Sequence, residues 1–115
     1  MKIKIFLLIL LFSTIFKINF SYADEEKMKK GLEIFNETGG CAACHVLKAA
    51  GSKGNIGPNL DIVSNLTIES VKDIITYGRG VMPAFGEGEI LTKEEINIVS
   101  FYVISSAGKW IVFPL

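Results

Sequence analysis

The chain contains few of the residues that build metal clusters and hydrolytic sites. Its 115 residues include two cysteines and one histidine. A structural zinc site needs about four ligands of these types, and no Ser/His/Asp arrangement remains once that histidine is used elsewhere. No basic stretch with interleaved aromatic residues occurs, so nucleic-acid binding is not expected. Repeats and low-complexity tracts are also missing, which leaves one ordinary domain as the expectation for this length.

The first residues have the pattern of a secretory signal. Lys2 and Lys4 precede an apolar run over residues 5–12, and small residues occupy the cleavage-site positions in 21–23. The run is short for a membrane span, which needs about 20 residues, and Lys17 interrupts its far end. We therefore predict a signal peptide over residues 1–23, cleaved after Ala23, rather than a retained anchor.

The mature domain is predicted to cover residues 24–115. Removing the three lysines of the signal segment leaves 9 basic residues against 12 acidic ones, a net charge of −3. A domain of this size buries only a modest core. A bound group that fills the interior would therefore contribute much of its stability.

Cys41, Cys44 and His45 form a Cys-x-x-Cys-His sequence, the attachment motif of c-type haem. Each thiol can add to one haem vinyl group, and the adjacent histidine can bind the iron from one face. A thioredoxin-like redox pair needs a βαβ setting, and no strand-like alternation flanks the motif. A plain disulfide leaves His45 unexplained. We predict one covalently attached haem c with its iron, which also fits export because bacterial c-type haem is attached outside the cytoplasmic membrane.

Three helices are predicted, which makes the fold all-α with the haem at its centre. The first begins with Asp24 as a cap and runs to about Thr38. The second starts at Thr67 and is ended by the glycines at 78 and 80. The third opens with the capping box Thr92-x-x-Glu95 and stops at Gly108. The residues predicted to face inward are Met28, Leu32, Phe35, Val71, Ile74, Ile75, Ile96, Val99 and Val103.

His45 can supply only one of the two axial ligands of the haem iron, so the second must come from another residue type. Outside the signal segment the methionines are Met28 and Met82. Met28 belongs to the apolar stripe of the first helix, whereas Met82 lies on an irregular loop stiffened by Pro83. Met82 is the predicted distal ligand, and an open or lysine-occupied position is the alternative. Met/His ligation raises the reduction potential.

These motifs together resemble a class I cytochrome c over roughly Lys27 to Trp110. The order is Cys-Ala-Ala-Cys-His, then Gly-Pro-Asn-Leu at 57–60, then Met-Pro-Ala-Phe at 82–85, then a C-terminal amphipathic helix. Within that class the chain is similar to small electron carriers of bacterial and photosynthetic chains.

The resemblance implies a set of roles for residues around the haem. His45 would be the proximal iron ligand and Met82 the distal one. The carbonyl of Pro58 would accept a hydrogen bond from the second ring nitrogen of His45, and Leu60 would line the haem pocket. Arg79 would either neutralise a propionate or remain a solvated charge. Gly31 and Phe35 on the first helix would cross Tyr102 on the last.

The predicted function is a periplasmic monohaem electron carrier and not an enzyme, because filled axial positions exclude a substrate from the iron. Its partners would be redox proteins: a dehydrogenase or reductase as donor, and an oxidase or other acceptor. A tightly bound subunit of a periplasmic dehydrogenase is the main alternative, and a haem-based sensor or peroxidase-like enzyme is another. The apolar tail from Trp110 to Leu115 either folds over the core or contacts a partner or membrane.

Overall fold

The structure, a computed structural model, describes residues 1–109, and it describes the side chains of all of these except residues 14–21. Its main elements are three α-helices, α1 (Lys2–Glu33), α2 (Ile68–Tyr77) and α3 (Lys93–Ser106), which confirms the helical fold. A two-stranded antiparallel hairpin, β1 (Val46–Leu47) and β2 (Ser52–Lys53), was not predicted. The prediction for the tail from Trp110 onward lies outside the described residues.

Helix α1 begins at Lys2, so the prediction that Asp24 caps the first helix is wrong for the full chain. The reason is local: residues 2–30 contain neither glycine nor proline, so nothing between the apolar segment and Asp24 breaks the helix. Asp24 lies inside α1. No helix in the described part of the chain is long and apolar enough to cross a membrane.

The end of α1 changes its winding just before the Cys-x-x-Cys-His sequence. Residues Ile34–Thr38 form a π-helical turn, and the Gly39 amide donates to the Ile34 carbonyl across five residues, at 2.7 Å. Such turns occur often next to functional sites. The predicted helix end near Thr38 is therefore confirmed, although its last turn is not α-helical.

Helices α1 and α3 cross at Gly31 and Tyr102, as the resemblance implies. A β-carbon on Gly31 would lie 2.3 Å from the β-carbon of Tyr102, so no other residue fits without moving a helix. The rings of Phe35 and Tyr102 meet beside this contact, with centroids 6.0 Å apart and planes tilted by 57°. The crossing explains why a helix keeps a residue that weakens it.

Helices α2 and α3 both begin with reciprocal capping. The Thr92 hydroxyl accepts from the Glu95 amide, and the Glu95 carboxylate accepts from the Thr92 amide. Thr67 and Ser70 make the same pair of bonds at α2. Helix α2 ends at Gly78, whose φ of +72° suits glycine.

The core lies where α1 and α2 pack against α3. Of the residues predicted to face inward, Leu32 and Ile74 are only half-buried, and the rest are buried. Met28 is 9% exposed and belongs to this core. The buried hydrophobic residues among those described are Met28, Ile34, Phe35, Leu47, Val71, Ile75, Leu91, Ile96, Val99, Tyr102 and Val103.

Candidate functional site

The Cys-x-x-Cys-His sequence folds as one tight turn. Gly40, with φ of +62°, leads into a 3-10 turn over Cys41–Ala43. The Cys41 carbonyl accepts from the amides of both Cys44 (3.1 Å) and His45 (3.0 Å). Residues three apart lie on the same side of a 3-10 turn, so the turn directs both thiols the same way. The two cysteines are half-buried and not joined by a disulfide.

Cys41 lies in an apolar setting that the sequence did not indicate. Burial raises the pKa of its thiol from 9.0 to about 11, and the thiol of Cys44 acts in the same direction. A β-carbon on Gly39 would lie 3.3 Å from the Cys41 sulfur. Gly39 therefore leaves room for the sulfur in addition to ending the preceding helix. In the haem-free chain this thiol is neutral at neutral pH.

The imidazole of His45 is held by the loop that follows the hairpin. Its Nδ1 lies 2.8 Å from the Pro58 carbonyl oxygen, the contact that the resemblance implies. A carbonyl can only accept, so Nδ1 carries the proton and Nε2 keeps the lone pair that can bind a metal. Gly57 packs against the ring, since a β-carbon there would lie 2.5 Å from Cε1. The sequence placed Gly57 in the Gly-Pro-Asn-Leu motif but did not predict its contact with the His45 ring.

Ser52 fixes the backbone next to His45. Its buried hydroxyl donates to the His45 carbonyl oxygen at 2.8 Å and accepts from the Leu47 amide at 2.8 Å. The register pairs Val46 with Lys53 and Leu47 with Ser52. Nothing in the sequence singled out this serine, because its role depends on the hairpin.

The loop after β2 wraps closely around the turn. The Gly57 amide donates to the Cys44 carbonyl at 2.8 Å, and the Leu60 amide donates to the Val46 carbonyl at 3.0 Å. A β-carbon on Gly54 would lie only 2.6 Å from the Cys44 carbonyl carbon. This segment therefore packs backbone against backbone, which requires glycine at Gly54.

Met82 lies at the end of a tight hairpin that starts at Arg79. The two residues exchange both backbone hydrogen bonds, at 3.2 and 3.0 Å, and Gly80 supplies the positive φ of +60° at the turn. Gly78 packs below, where a β-carbon would lie 2.6 Å from the Met82 carbonyl oxygen. The Met82 side chain is half-buried against the core, whereas Arg79 is exposed.

Leu60 is half-buried against the core and also lines a cavity of about 250 Å³. The cavity lies between the loop after Leu60 and the end of α3, which contributes Ile104 and Ala107. Within the described residues, no group of three or more His, Cys, Asp or Glu side chains could hold a metal ion.

The residues present fit a covalently attached haem. Two unbridged thiols on one turn can form the two thioethers, and the adjacent imidazole has its Nδ1 engaged so that Nε2 remains for iron. Glycines at 54 and 57 keep side chains away from that turn and from that ring. A plain disulfide would need neither the oriented imidazole nor the glycines that surround it.

Comparison with known proteins agrees with this site. Residues 26–103 match the family model described as cytochrome c oxidase, cbb3-type, subunit III. A cytochrome c6 from Gloeothece citriformis is 34% identical over 84 residues, covering 69% of this chain and 71% of that protein. A cytochrome c6 from Cladophora glomerata is 31% identical, covering 76% of this chain and 99% of that protein.

Two further matches differ in how much of the other protein they cover. The cbb3-type cytochrome c oxidase subunit FixP of Bradyrhizobium is 36% identical over 91 residues, which are 30% of its length. The crystal structure of the c-type cytochrome SorU from Sinorhizobium meliloti superposes with a TM-score of 0.66 at 46% identity, covering 74% of this chain and 95% of that chain.

The chain therefore belongs to the c-type cytochrome family. Within that family it is a small class I c-type cytochrome with covalently bound haem c, and it is an electron-transfer protein rather than an enzyme.

Proposed function

We propose that this cytochrome carries single electrons between redox partner proteins in the periplasm, with its haem iron held by His45 and Met82. The bound haem supplies a centre that cycles between Fe(III) and Fe(II). The observation that carries the proposal is the 2.8 Å contact between His45 Nδ1 and the Pro58 carbonyl. That hydrogen bond orients the ring and raises the basicity of Nε2, as partners of metal-bound histidines do.

Met82 is favoured over the other two methionines by its surroundings. Met28 is buried in the core between helices, and Met1 is fully exposed at the start of α1. Met82 is half-buried on a hairpin whose backbone is fixed by two hydrogen bonds and by the close approach of Gly78. A rigid loop resists loss of a weak thioether ligand. With His45 and Met82 both holding the iron, no position on it would remain for a substrate.

The remaining haem contacts are proposed for Pro58, Leu60 and Arg79. Pro58 acts through His45, and Leu60 adds an apolar wall next to the core. Arg79 is exposed at the start of the Met82 hairpin, a position from which a guanidinium can pair with a propionate.

The periplasmic assignment depends on residues 1–23 being a signal peptide that precedes a domain over 24–115. The apolar side chains from Ile3 to Phe12 are exposed in the described structure, which supports a segment that is not part of the folded domain. The family match begins at residue 26, shortly after the proposed cleavage site. In a host that matures c-type cytochromes, mass spectrometry should show one haem on a chain that begins at Asp24.

The ligand assignment is tested by comparing Met82→Ala with Met28→Ala. Met82→Ala should keep the covalent haem but lose the weak far-red band of the iron–thioether bond. Its reduction potential should fall, and carbon monoxide should bind the ferrous form. Met28→Ala should retain the wild-type spectrum and potential and lose about 2–5 kcal/mol of stability from the core. The reverse pattern would assign the ligand to Met28.

A further inference from the structure

The carboxylate of Asp61 joins three parts of the chain that are distant in sequence. Its Oδ2 accepts from the Lys48 amide at 2.9 Å, just after β1. Its Oδ1 accepts from the Gly108 amide at 3.0 Å, just after α3. The amide of Asp61 itself donates to the Asn59 side chain at 2.9 Å. One side chain thus fixes the loop after Pro58 to two other segments.

The segment fixed in this way is the one that positions His45. Pro58, whose carbonyl meets His45 Nδ1, lies three residues before Asp61. Between them, the Leu60 amide bonds to the Val46 carbonyl, next to His45. The Asp61 carboxylate accepts from the Lys48 amide, just after the same strand. The loop is therefore bonded to this part of the chain at two points, Leu60 to Val46 and Asp61 to Lys48.

The hydrogen bond between Asp61 and Gly108 ties the loop to the end of α3. Asp61, Leu60 and Leu66 line the same cavity of about 250 Å³ as Ile104 and Ala107 near the end of that helix. Hydrogen bonds to a charged acceptor are worth more than neutral ones, so the contact of the Asp61 carboxylate with the Gly108 amide adds to the packing of these side chains.

We propose that Asp61 is a positioning residue for the iron ligand His45, holding the Pro58 carbonyl against Nδ1. The inference depends on the proposed function, since it takes His45 as the proximal ligand. Removal of the Asp61 carboxylate breaks its hydrogen bonds with the Lys48 and Gly108 amides and loosens the loop. The hydrogen bond from Nδ1–H to the Pro58 carbonyl then opens more often. Because the ring then donates less electron density to the iron, the reduction potential rises.

Because His45 is the sole histidine, the hydrogen bond at its ring can be followed without signals from other residues. In holoprotein grown with ¹⁵N-labelled histidine, the ring nitrogen signals of the ferrous state come from His45 only. In Asp61→Ala, the Nδ1–H proton should exchange with solvent about tenfold faster than in wild type, the effect of losing one charged hydrogen bond. The potential should rise while the far-red band persists. Asp61→Asn, which keeps one acceptor, should lie between the two. Asp73→Ala, which removes an exposed carboxylate on α2, should match wild type.

The outcomes separate this inference from the ligand assignment. Unchanged exchange and potential in Asp61→Ala would overturn the positioning role, even if the melting temperature falls, because a merely structural role lowers stability alone. If Asp61→Ala fails to mature, the same comparison is made on Asp61→Asn, with the same criterion. Wild-type His45 ring nitrogen signals at the positions of an imidazole that binds no iron would instead overturn the proposed ligation.

Discussion

The backbone of Gly57 packs directly against the imidazole of His45. A β-carbon at Gly57 would come within 2.5 Å of Cε1 and 2.8 Å of Nδ1, closer than any side-chain carbon is tolerated. The next residue, Pro58, supplies the carbonyl that meets Nδ1 at 2.8 Å. Steric room at Gly57 and the hydrogen bond at Pro58 therefore set the orientation of the ring together.

Replacing Gly57 by alanine should disturb the ring more than the fold. In Gly57→Ala the added methyl must move either the imidazole or the loop, so the contact between Nδ1 and the Pro58 carbonyl lengthens. We expect less matured holoprotein by haem staining and a shifted potential by redox titration. Gly51→Ala is the control, because Gly51 has φ of +68° and nothing within 4 Å. It should cost about 1 kcal/mol of backbone strain and leave the potential alone; equal behaviour of the two variants would contradict the steric argument.

The crossing of α1 and α3 gives a second prediction. In Gly31→Ala the new methyl meets the β-carbon of Tyr102, which the α3 backbone holds in place, and not a flexible side-chain end. Overpacking of this kind costs about 1–3 kcal/mol, and we expect the upper part of that range from denaturant unfolding of the holoprotein. Lys29→Ala, at an exposed position of the same helix, should unfold at the wild-type denaturant concentration. An unchanged denaturant midpoint in Gly31→Ala would mean that α1 and α3 can move apart to admit the methyl group at no cost in stability.

Some of the fold was readable because the signal is local. The Thr92/Glu95 capping box fixes the start of α3, and Gly78 ends α2 just after Tyr77, as predicted. Thr67 was recognised as the start of α2, but its partner Ser70 was not, because the usual capping box has Glu or Gln there.

The rest of the site depends on contacts between distant segments. Strands of two residues, such as those carrying Leu47 and Ser52, are too short to show alternation. The role of Asp61 needs Gly108, 47 residues away, to be known as a neighbour. The Pro58 contact was anticipated only through the resemblance to class I cytochromes c. The partners of Ser52 and Asp61 were therefore not predictable from the sequence, and the partner of His45 was predictable only through the resemblance.

Acid should weaken the start of α3 through one carboxylate. The pKa of Glu95 is lowered from 4.5 because the Thr92 amide and hydroxyl donate to its charged form. The stabilisation is therefore present above about pH 4.5 and is lost as the pH falls through the lowered pKa. At neutral pH the melting temperature of wild type should be higher than that of Glu95→Gln, and in acid the two melting temperatures should become equal. Glu94→Gln, an exposed neighbour, should show a smaller difference; a gap between wild type and Glu95→Gln that persists in acid would contradict the assignment.

The last prediction concerns how electrons reach the partner. Lys53 is exposed on β2, and the register places it opposite Val46, next to His45. Small redox complexes meet over less than about 1,200 Å², and charge steers their encounter. For a free carrier, Lys53→Glu should change the second-order rate of electron transfer and its dependence on salt, since screening acts over about 10 Å at 0.1 M. The reduction potential should stay at the wild-type value, and Lys29→Glu on α1 should leave both rate and potential nearly unchanged. A rate that is independent of both protein concentration and salt would instead identify a resident subunit, as in the dehydrogenase alternative, and co-purification at low salt should then recover the partner.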